Sequence, residues 1–539
     1  MSKNKRIVES IIIFLFFSVI VALINLNSKE FNYDKIWVFH MMQKIANGDL
    51  IYTEINVITG PLFYLVGGAV FKIFGASFVV YDIFSGISYG VFATLFYNIA
   101  KKIGDDKNKF LDVMILFFLL ANATVIGVAN YNIFCLFFIM LAMLMEIKND
   151  NETSSYKYDF LNGIFLACAF LSKQTVGGMA VIASGLISLI YGIAIEKRNP
   201  TKEILMKMTG FLCIMVPAII VMLCVGNFYD YINLCFGSIL EFGGNNTTIR
   251  SGNPYFVVML AIFITGLMVW NLNKSDKELF IINLYAIANM FFVLPLANTY
   301  HIYLALFTSG FILIKILNIL QEYEKKDIIK LIVVLLIVAL RVSPYFDVTS
   351  SNMEENEIML IDIIYNLFNI LLLCTIGYGV IKEKYKFIKI NFYALSLFLC
   401  IGLSCNYGYG VKDEVVPQGL EIYLKHAFDN DELEKISAVI EYIKEKENEG
   451  YNVMVVSSDA SLYMAPMNRN NNEFDLFFYG NLGYKGVQKT MDKMKKWKNT
   501  IILRNEERFW QEPKEIDEYL EKNCEEIGEI EDMEIYYQR

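Results

Sequence analysis

Long apolar runs recur from residue 7 to about residue 408, and they constrain the fold more than any other feature of the sequence. The chain of 539 residues is 55% hydrophobic, with a mean hydropathy of +0.43. A soluble protein of this length cannot bury so much apolar surface, whereas a helix of about 20 apolar residues crosses a bilayer. The sequence therefore predicts a polytopic α-helical membrane protein.

Thirteen apolar segments have the composition expected of transmembrane helices. Lysine and arginine residues cluster in alternate loops, as they do in cytoplasmic loops. Lys3, Lys5 and Arg6 therefore place the N-terminus in the cytoplasm, and the odd number of spans places the C-terminus outside. The predicted spans are residues 7–26, 81–100, the two halves of 110–147, the two halves of 160–195, 205–226, 256–272, 279–297, 302–319, a span ending near 341, 358–381 and 392–406.

The last 130 or so residues differ in composition, because charged residues become common and apolar runs shorten. This pattern predicts a small α/β domain that is long enough to bury its own core. We therefore predict a transmembrane domain of residues 1–408 and an extracytoplasmic α/β domain of residues 409–539. The predicted elements of the second domain are helices at 432–447 and 516–523 and strands at 453–456, 500–503, 526–530 and 533–537.

The polar segment at residues 27–80 is the first outer loop of the predicted transmembrane domain. Within it, residues 61–75 are apolar but too short to cross a bilayer, so we predict a helix in the outer interface. Asp34 stands just beyond the first span, at the start of a predicted helix. A carboxylate at the lip of a membrane cavity can act as a general base towards a hydroxyl. The alternative is that Asp34 only caps the helix.

This loop resembles the first outer loop of the GT-C membrane glycosyltransferases, which include the protein O-mannosyltransferases and the aminoarabinose transferases. The residues that carry the resemblance are Asp34, Gly48, Tyr52, Glu54, the Gly-Pro-Leu-Phe-Tyr segment at 60–64 and the Phe-Lys-Ile-Phe-Gly segment at 71–75. Three positions depart from the usual pattern. Lys35 replaces the acid that normally follows Asp34, Glu54 stands where aspartate is usual, and Gly60 replaces the first of two prolines. Beyond the loop, the resemblance lies in the layout of many spans and an outer C-terminal domain.

Members of this superfamily use a polyprenyl-phosphate-linked sugar as donor on the extracytoplasmic face. The resemblance implies a plasma-membrane enzyme that transfers a hexose or pentose, with inversion, to a hydroxyl of a cell-surface glycan, lipid or protein. Asp34 is then the catalytic base, and Tyr52 and Glu54 are candidate substrate-binding residues. His40 follows Asp34 on the same predicted helix and can hydrogen-bond a sugar or a phosphate; the alternative is a structural role. We expect no obligatory cofactor. Lys35 and Glu54 argue against a metal role, and assistance by a divalent metal is the alternative.

A departing lipid phosphate needs cations near the outer interface, where basic residues are otherwise scarce. Lys173 lies at the outer tip of the hairpin at 160–195 and matches a Lys-Gln tip in relatives of the family. Arg250 and Arg341 are the other outer candidates for binding the phosphate. The alternative for each of the three is that its side chain extends to the lipid headgroups.

Polar residues beside these cations complete the predicted site. Gln174 follows Lys173, and Tyr300 and His301 stand at the outer end of the tenth span. An imidazole at this level can hydrogen-bond a sugar or a phosphate. No His-x-x-x-His or His-Glu pairing accompanies the three histidines, so the sequence predicts no metal site.

Other classes of protein are less consistent with the sequence. A non-catalytic transporter or flippase of lipid-linked sugars predicts an inverted repeat, which we do not find. A membrane anchor that displays residues 409–539 stays open because of Lys35. No basic patch or RNA-binding motif is present, so no nucleic-acid partner is predicted. Residues 480–486 are rich in glycine, but their spacing differs from that of a phosphate-binding loop, and we predict a turn there.

Overall fold

A computed structural model describes most of the chain and divides it into two compact units. The predicted span that ends near residue 341 lies outside the described residues, and those at 256–272 and 358–381 are described only in part. The described residues are 3–26, 33–104, 108–149, 156–238, parts of 260–270, 276–293, 299–320, parts of 367–379, 382–407, 418–423, 430–471, 474–509 and 512–539.

The apolar part of the chain folds into helices that break at polar residues. The predicted hairpin at 110–147 is two helices, and Asn130 caps the second by accepting hydrogen bonds from the Asn132 and Ile133 amides at 2.9 and 3.3 Å. The hairpin at 160–195 is likewise two helices, separated at Lys173. The helices are α1 (Lys3–Leu26), α2 (Tyr33–Asn47), α3 (Leu62–Phe74), α4 (Phe78–Gly104), α5 (Lys109–Ile126), α6 (Tyr131–Lys148), α7 (Tyr156–Ser172), α8 (Gln174–Leu186, continued by a π-helix, Ile187–Ile195), α9 (Thr201–Val225), α10 (Phe228–Ile232, continued by a π-helix, Asn233–Gly237), α11 (Lys277–Met290), α12 (Thr299–Leu320) and α13 (Tyr385–Tyr407).

Five helices in the described part of the chain are long and apolar enough to cross a membrane. The prediction of a multi-pass membrane protein is therefore confirmed, whereas the count of thirteen spans stays a prediction. The five helices are residues Asn4–Leu26, Phe78–Gly104, Tyr131–Lys148, Gln174–Ile195 and Thr201–Val225.

The first compact unit (Met1–Ser28, Asp82–Val216 and Thr248–Gly410) is helical and has one large apolar core. Aromatic rings are prominent in this core. The ring of Phe96 stacks on those of Phe118 and Phe311, with centroids 5.3 and 4.5 Å apart. Such contacts supply helix packing in a bilayer, where apolar burial alone does not favour association over contact with lipid.

A buried polar network joins four helices of this unit. The Lys207 ammonium donates to Glu146 Oε1 at 2.5 Å and to Glu203 Oε1 at 3.1 Å. It also donates to Ser188 Oγ at 2.6 Å, and Asn162 Nδ2 donates to the second oxygen of Glu146 at 2.9 Å. The cation lies between two carboxylates. The network stabilises the folded unit only while the negative charges of both carboxylates are neutralised by cations.

We expect Lys207→Met to lower the free energy of unfolding by about 3 kcal/mol, because the buried Glu146 is left without its cation and Glu203 keeps only its ion pair with Arg198. Thermal unfolding of the purified protein in detergent measures the effect. Lys202→Met is the matched control, since Lys202 is an exposed residue of the same helix. Equal melting temperatures for the two variants would contradict the prediction.

The C-terminal residues form the α/β domain that the sequence predicts. Its sheet has the strand order β1-β2-β4-β3, with β1 and β2 parallel and the other pairs antiparallel. Its apolar core includes Phe477, Ile502, Ile516 and Leu520. The elements are α14 (Asn430–Asn448), β1 (Asn452–Val455), α15 (Ala460–Met467), α16 (Gly486–Met494), β2 (Thr500–Asn505), α17 (Lys514–Asn523), β3 (Glu525–Ile530) and β4 (Met533–Gln538).

The second compact unit differs from the predicted C-terminal domain, because it contains Lys29–Tyr81 and Pro217–Thr247 as well as Val411–Arg539. The sequence assigned the first outer loop to the transmembrane domain. The physical reason for the difference is that polar side chains of α2 are buried against the C-terminal residues, as in the contact between His40 and Ser461. Sequence distance conceals this pairing.

Helix α3 corresponds to the predicted interfacial helix, and it is too short to cross a membrane. One face is buried and includes Gly67 and Gly68, whose absent side chains let α2 approach closely. A Cβ atom at Gly67 would lie 2.3 Å from the Met42 side chain. The other face exposes Leu65, Ile73 and Phe74. A one-sided apolar helix of this kind is typical of a membrane interface.

Candidate functional site

Asp34 lies in the first turn of α2 and is exposed, whereas the following residues of the helix are buried. A carboxylate in the first turn is stabilised by the helix dipole. Surrounding protein nevertheless raises the pKa of Asp34 through desolvation. No hydrogen bond or ion pair reaches this carboxylate from the residues that the structure describes. Asp34 is therefore an accessible carboxylate with enhanced basicity, as a general base requires.

The motif residues Tyr52 and Glu54 shape the turn that follows α2. Tyr52 has φ +72° and is buried, and its hydroxyl donates to the Thr59 carbonyl at 2.8 Å. Glu54 accepts a hydrogen bond from the Leu50 amide at 2.6 Å. A positive φ at a residue other than glycine is uncommon and is maintained by such contacts. Both residues thus have structural roles, and their contact with substrate stays a prediction.

His40 lies on α2, but its imidazole is buried against C-terminal residues. Its Nε2 atom lies 2.9 Å from the Arg469 carbonyl, and its Nδ1 atom lies 3.3 Å from Ser461 Oγ. Burial, together with the nearby charge of Lys44, lowers the pKa of His40 well below its usual range. The imidazole is therefore neutral at physiological pH, with Nε2 donating to the carbonyl.

Lys173 is buried at the break between α7 and α8. Its ammonium donates to Asn132 Oδ1 at 2.7 Å and lies 5.6 and 5.2 Å from the ring centroids of Tyr131 and Phe292. No carboxylate forms an ion pair with it within the described ranges. A buried ammonium is ordinarily paired with an anion. Contact with aromatic faces supplies only part of the stabilisation that an anion would give. This arrangement is suited to receiving an anionic ligand.

The neighbours of Lys173 include two other predicted residues. Asn130 Nδ2 donates to the Tyr300 hydroxyl, and the rings of Tyr300 and His301 meet edge to face with centroids 5.4 Å apart. The Lys173 charge acts electrostatically on His301. Gln174 opens α8 and is buried. The helical unit thus brings Lys173, Tyr300 and His301 together beside Asn130 and Asn132.

Two groups of predicted residues therefore exist. Asp34, His40, Tyr52 and Glu54 belong to one compact unit, and Lys173, Gln174, Tyr300 and His301 belong to the other. Arg250 and Arg341 lie outside the described residues, so their predicted role stays a prediction. In the described part of the chain, no group of three or more His, Cys, Asp or Glu residues is placed to hold a metal ion.

Sequence reasoning missed two sets of residues. Asn130 and Asn132 interrupt an apolar run, which is the signal that could have marked them as ligands of the cation and the tyrosine. Lys44 and Asp475 form a buried ion pair although they are 431 positions apart. No local pattern in the sequence predicts that second contact.

Comparisons with known proteins agree on one class. A family model described as dolichyl-phosphate-mannose-protein mannosyltransferase matches residues 59–223. ArnT from Cupriavidus metallidurans bound to undecaprenyl phosphate has a TM-score of 0.57 at 12% identity, covering 98% of this chain and 97% of that one. The apo state of the same protein has a TM-score of 0.57 at 11% identity with the same coverage. No curated protein sequence matches the chain.

The ArnT likeness shows the fold: a membrane-embedded helical domain with a C-terminal domain, as in the GT-C glycosyltransferases. The family model shows likeness to the same class of enzyme across the end of the first outer loop and the helices up to residue 223. The fold class and the enzyme class predicted from the loop motif are thereby confirmed. The chain is a multi-pass membrane protein with the fold of the GT-C glycosyltransferases.

Proposed function

We propose that the protein is an inverting glycosyltransferase that moves a sugar from a polyprenyl-phosphate-linked donor to a hydroxyl of a cell-surface acceptor on the outer face of the membrane. The observation that carries the proposal is the environment of Lys173. Its buried ammonium has a neutral amide and two rings around it but no carboxylate among the described residues. A lipid-linked phosphate carries the negative charge that would pair with this ammonium.

The donor supplies an anionic leaving group. As the bond between the anomeric carbon and the phosphate oxygen breaks, negative charge grows on the phosphate. Lys173 stabilises that charge, and its effect is large because little water shields it. His301 is close enough to feel the Lys173 charge, and its ring contacts that of Tyr300. Both residues are candidate hydrogen-bond donors to the same phosphate.

Asp34 is the base in this proposal. The acceptor hydroxyl attacks the anomeric carbon from the face opposite the phosphate, so the new glycosidic bond has inverted configuration. The hydroxyl proton passes to the Asp34 carboxylate, and the polyprenyl phosphate departs with the electrons of the broken bond. The exposed position of Asp34 gives an acceptor access, and its raised pKa makes it a stronger base.

A metal ion is not required by this scheme, because side chains can neutralise a monophosphate leaving group. We expect transfer to continue in the presence of EDTA. The assay measures the rate before and after chelation, with added Mg²⁺ or Mn²⁺ as the control. Loss of transfer on chelation and recovery with one of these ions would show that a divalent metal assists.

The proposed orientation places the N-terminus in the cytoplasm and the C-terminal domain outside, where it contributes to acceptor binding. Lys101 and Lys389 support this orientation, because they lie together at helix ends predicted to be cytoplasmic. Both ammonium groups pair with Asp112, at 2.8 and 3.1 Å. A cysteine-accessibility experiment with a membrane-impermeant thiol reagent at an exposed position such as Lys489 tests the location of the C-terminal domain.

A panel of undecaprenyl-phosphate sugars, carrying hexoses or pentoses, tests the activity directly. The purified protein in nanodiscs is incubated with each donor and with a cell-envelope extract as acceptor. We expect release of undecaprenyl phosphate and labelled glycan for at least one donor. Movement of donors across proteoliposome membranes without release of the phosphate would instead favour a flippase.

A further inference from the structure

We propose that the C-terminal domain positions the catalytic base, through a buried ion pair between Lys44 of α2 and Asp475. The neutral imidazole of His40 packs beside this pair, and we call the three residues the clamp (His40, Lys44 and Asp475). The inference rests on the proposed function of Asp34 as base. It assigns the clamp residues as positioning residues, because they act through α2 and not on the substrate.

The clamp is almost wholly removed from solvent. The side chains of Lys44 and Asp475 are 2% and 1% exposed, and the ammonium donates to Asp475 Oδ2. His40 Nδ1 lies 3.6 Å from the other carboxylate oxygen. Ser461 contacts both His40 and Asp475, since its hydroxyl lies 3.3 Å from His40 Nδ1 and donates to the Asp475 carbonyl at 2.7 Å. Two opposite charges are therefore buried together in the same compact unit.

The clamp belongs to a polar stripe along one face of α2. His40, Gln43, Lys44 and Asn47 follow the spacing i, i+3, i+4 and i+7, which places them on one side of a helix. The partners of all four lie between residues 461 and 475. Gln43 Nε2 donates to the Ala465 carbonyl at 3.2 Å, and Asn47 Nδ2 donates to Asn468 Oδ1 at 2.6 Å.

A small shift of α2 against the C-terminal domain would part Lys44 from Asp475 while both groups stay buried. An unpaired buried charge is far more costly than a broken surface ion pair. The contact is consequently one that the folded protein keeps. Helix α2 and the C-terminal residues that it contacts therefore move as one body.

Asp34 stands on the same helix as Lys44, about 15 Å away along the axis at the α-helical rise. A tilt of about 10° at Lys44 would displace Asp34 by about 3 Å over that length. Displacements of about 1 Å in a reacting group reduce rates by about 100-fold. The clamp thus controls the orientation of the base without touching the acceptor.

Asp475→Asn tests the clamp, because it removes the charge and keeps the shape. We expect kcat to fall by about tenfold or more, with KM for the donor within about threefold of wild type. Glu512→Gln is the matched control: Glu512 pairs with Arg504 at 2.6 Å in the same domain. The control is expected to lose similar stability while keeping kcat within about twofold.

Three further variants keep the test decisive if Asp475→Asn folds poorly. Gln43→Leu removes one contact of the stripe without leaving a charge buried, and it should lower kcat with little change in KM. Lys44→Arg preserves the ion pair and should recover most of the kcat that Lys44→Met loses. Equal kcat for Gln43→Leu and wild type, or equal kcat for the two Lys44 variants, would overturn the proposal.

Hydrogen exchange supplies a measurement that needs no donor. Peptides from residues 33–47 should exchange faster in Asp475→Asn than in wild type or in Glu512→Gln. If exchange is faster in Asp475→Asn but the wild-type protein has no transferase activity, the clamp is supported and the proposed function is contradicted. If transfer is equally fast in Asp475→Asn and Glu512→Gln, the proposed function is supported and the positioning role of the clamp is contradicted.

Discussion

Asp34→Asn is expected to reduce kcat for sugar transfer by about 100- to 10,000-fold, because an amide cannot take the proton from the hydroxyl of the acceptor. Donor binding should be unchanged, since Asp34 does not contact the phosphate in the proposed scheme. The measurements are transfer kinetics and equilibrium binding of the same labelled donor. An enzyme that keeps its wild-type kcat after this substitution does not use Asp34 as its base.

Asp49→Asn is the matched control for Asp34→Asn. Asp49 belongs to the same outer loop and hydrogen-bonds weakly to Asn470, with an Oδ2 to Nδ2 distance of 3.4 Å. The substitution removes one carboxylate from the loop without removing the proposed base. We expect its kcat to stay within about threefold of wild type, so that a loss confined to Asp34→Asn reports on proton transfer.

The pH dependence gives an independent measure of the same residue. Desolvation raises the pKa of Asp34, and a general base works only in its ionised form. Transfer should therefore rise with pH through an acidic limb that lies above the ordinary aspartate value of about 3.9. The residual activity of Asp34→Asn should lack that limb. If the acidic limb lies at the same pH in the wild-type protein and in Asp34→Asn, it reports the titration of a residue other than Asp34.

Lys173→Met is expected to weaken binding of undecaprenyl phosphate by about 100-fold, because it removes a buried cation that the phosphate would pair with. It should also lower kcat, since the leaving group loses its stabilisation as charge develops. Methionine keeps most of the side-chain volume and removes the ammonium that faces the rings of Tyr131 and Phe292. Binding is measured by competition with a fluorescent polyprenyl phosphate in nanodiscs.

The charge of Lys173 can be separated from its shape by two comparisons. Lys173→Arg keeps the positive charge and should retain more affinity than Lys173→Met. Lys72→Met removes an exposed lysine at the end of α3 and should leave affinity unchanged. If all three variants bind undecaprenyl phosphate as the wild type does, the phosphate site lies elsewhere and Lys173 has a structural role.

The helices of the membrane domain were largely predictable, because each must satisfy its own backbone hydrogen bonds and cover its surface with apolar side chains. Asn130 and Lys173 mark the two hairpin breaks in the sequence and in the structure alike. The strands of the C-terminal domain were predictable for a similar reason. The parallel pairing of β1 with β2 was not, since it joins segments that lie far apart in the chain.

The candidate site was predictable only in part. The motif around Asp34 is local, so one loop of sequence was enough to suggest the enzyme class. The ligands of Lys173 come from other helices, and their identity depends on how those helices pack. Asn132 is 41 positions from the lysine that it binds, and the interruption of an apolar run was the only sign of it.

The sequence by itself determined that this protein spans a membrane, carries a C-terminal α/β domain and presents a GT-C-like loop, because apolar length and local motifs are properties of contiguous residues. Only the tertiary structure decided which polar residues meet. It joined the first outer loop to the C-terminal domain through Lys44 and Asp475. The physical reason is that a buried charge requires a partner, and folding can bring that partner from any distance along the chain.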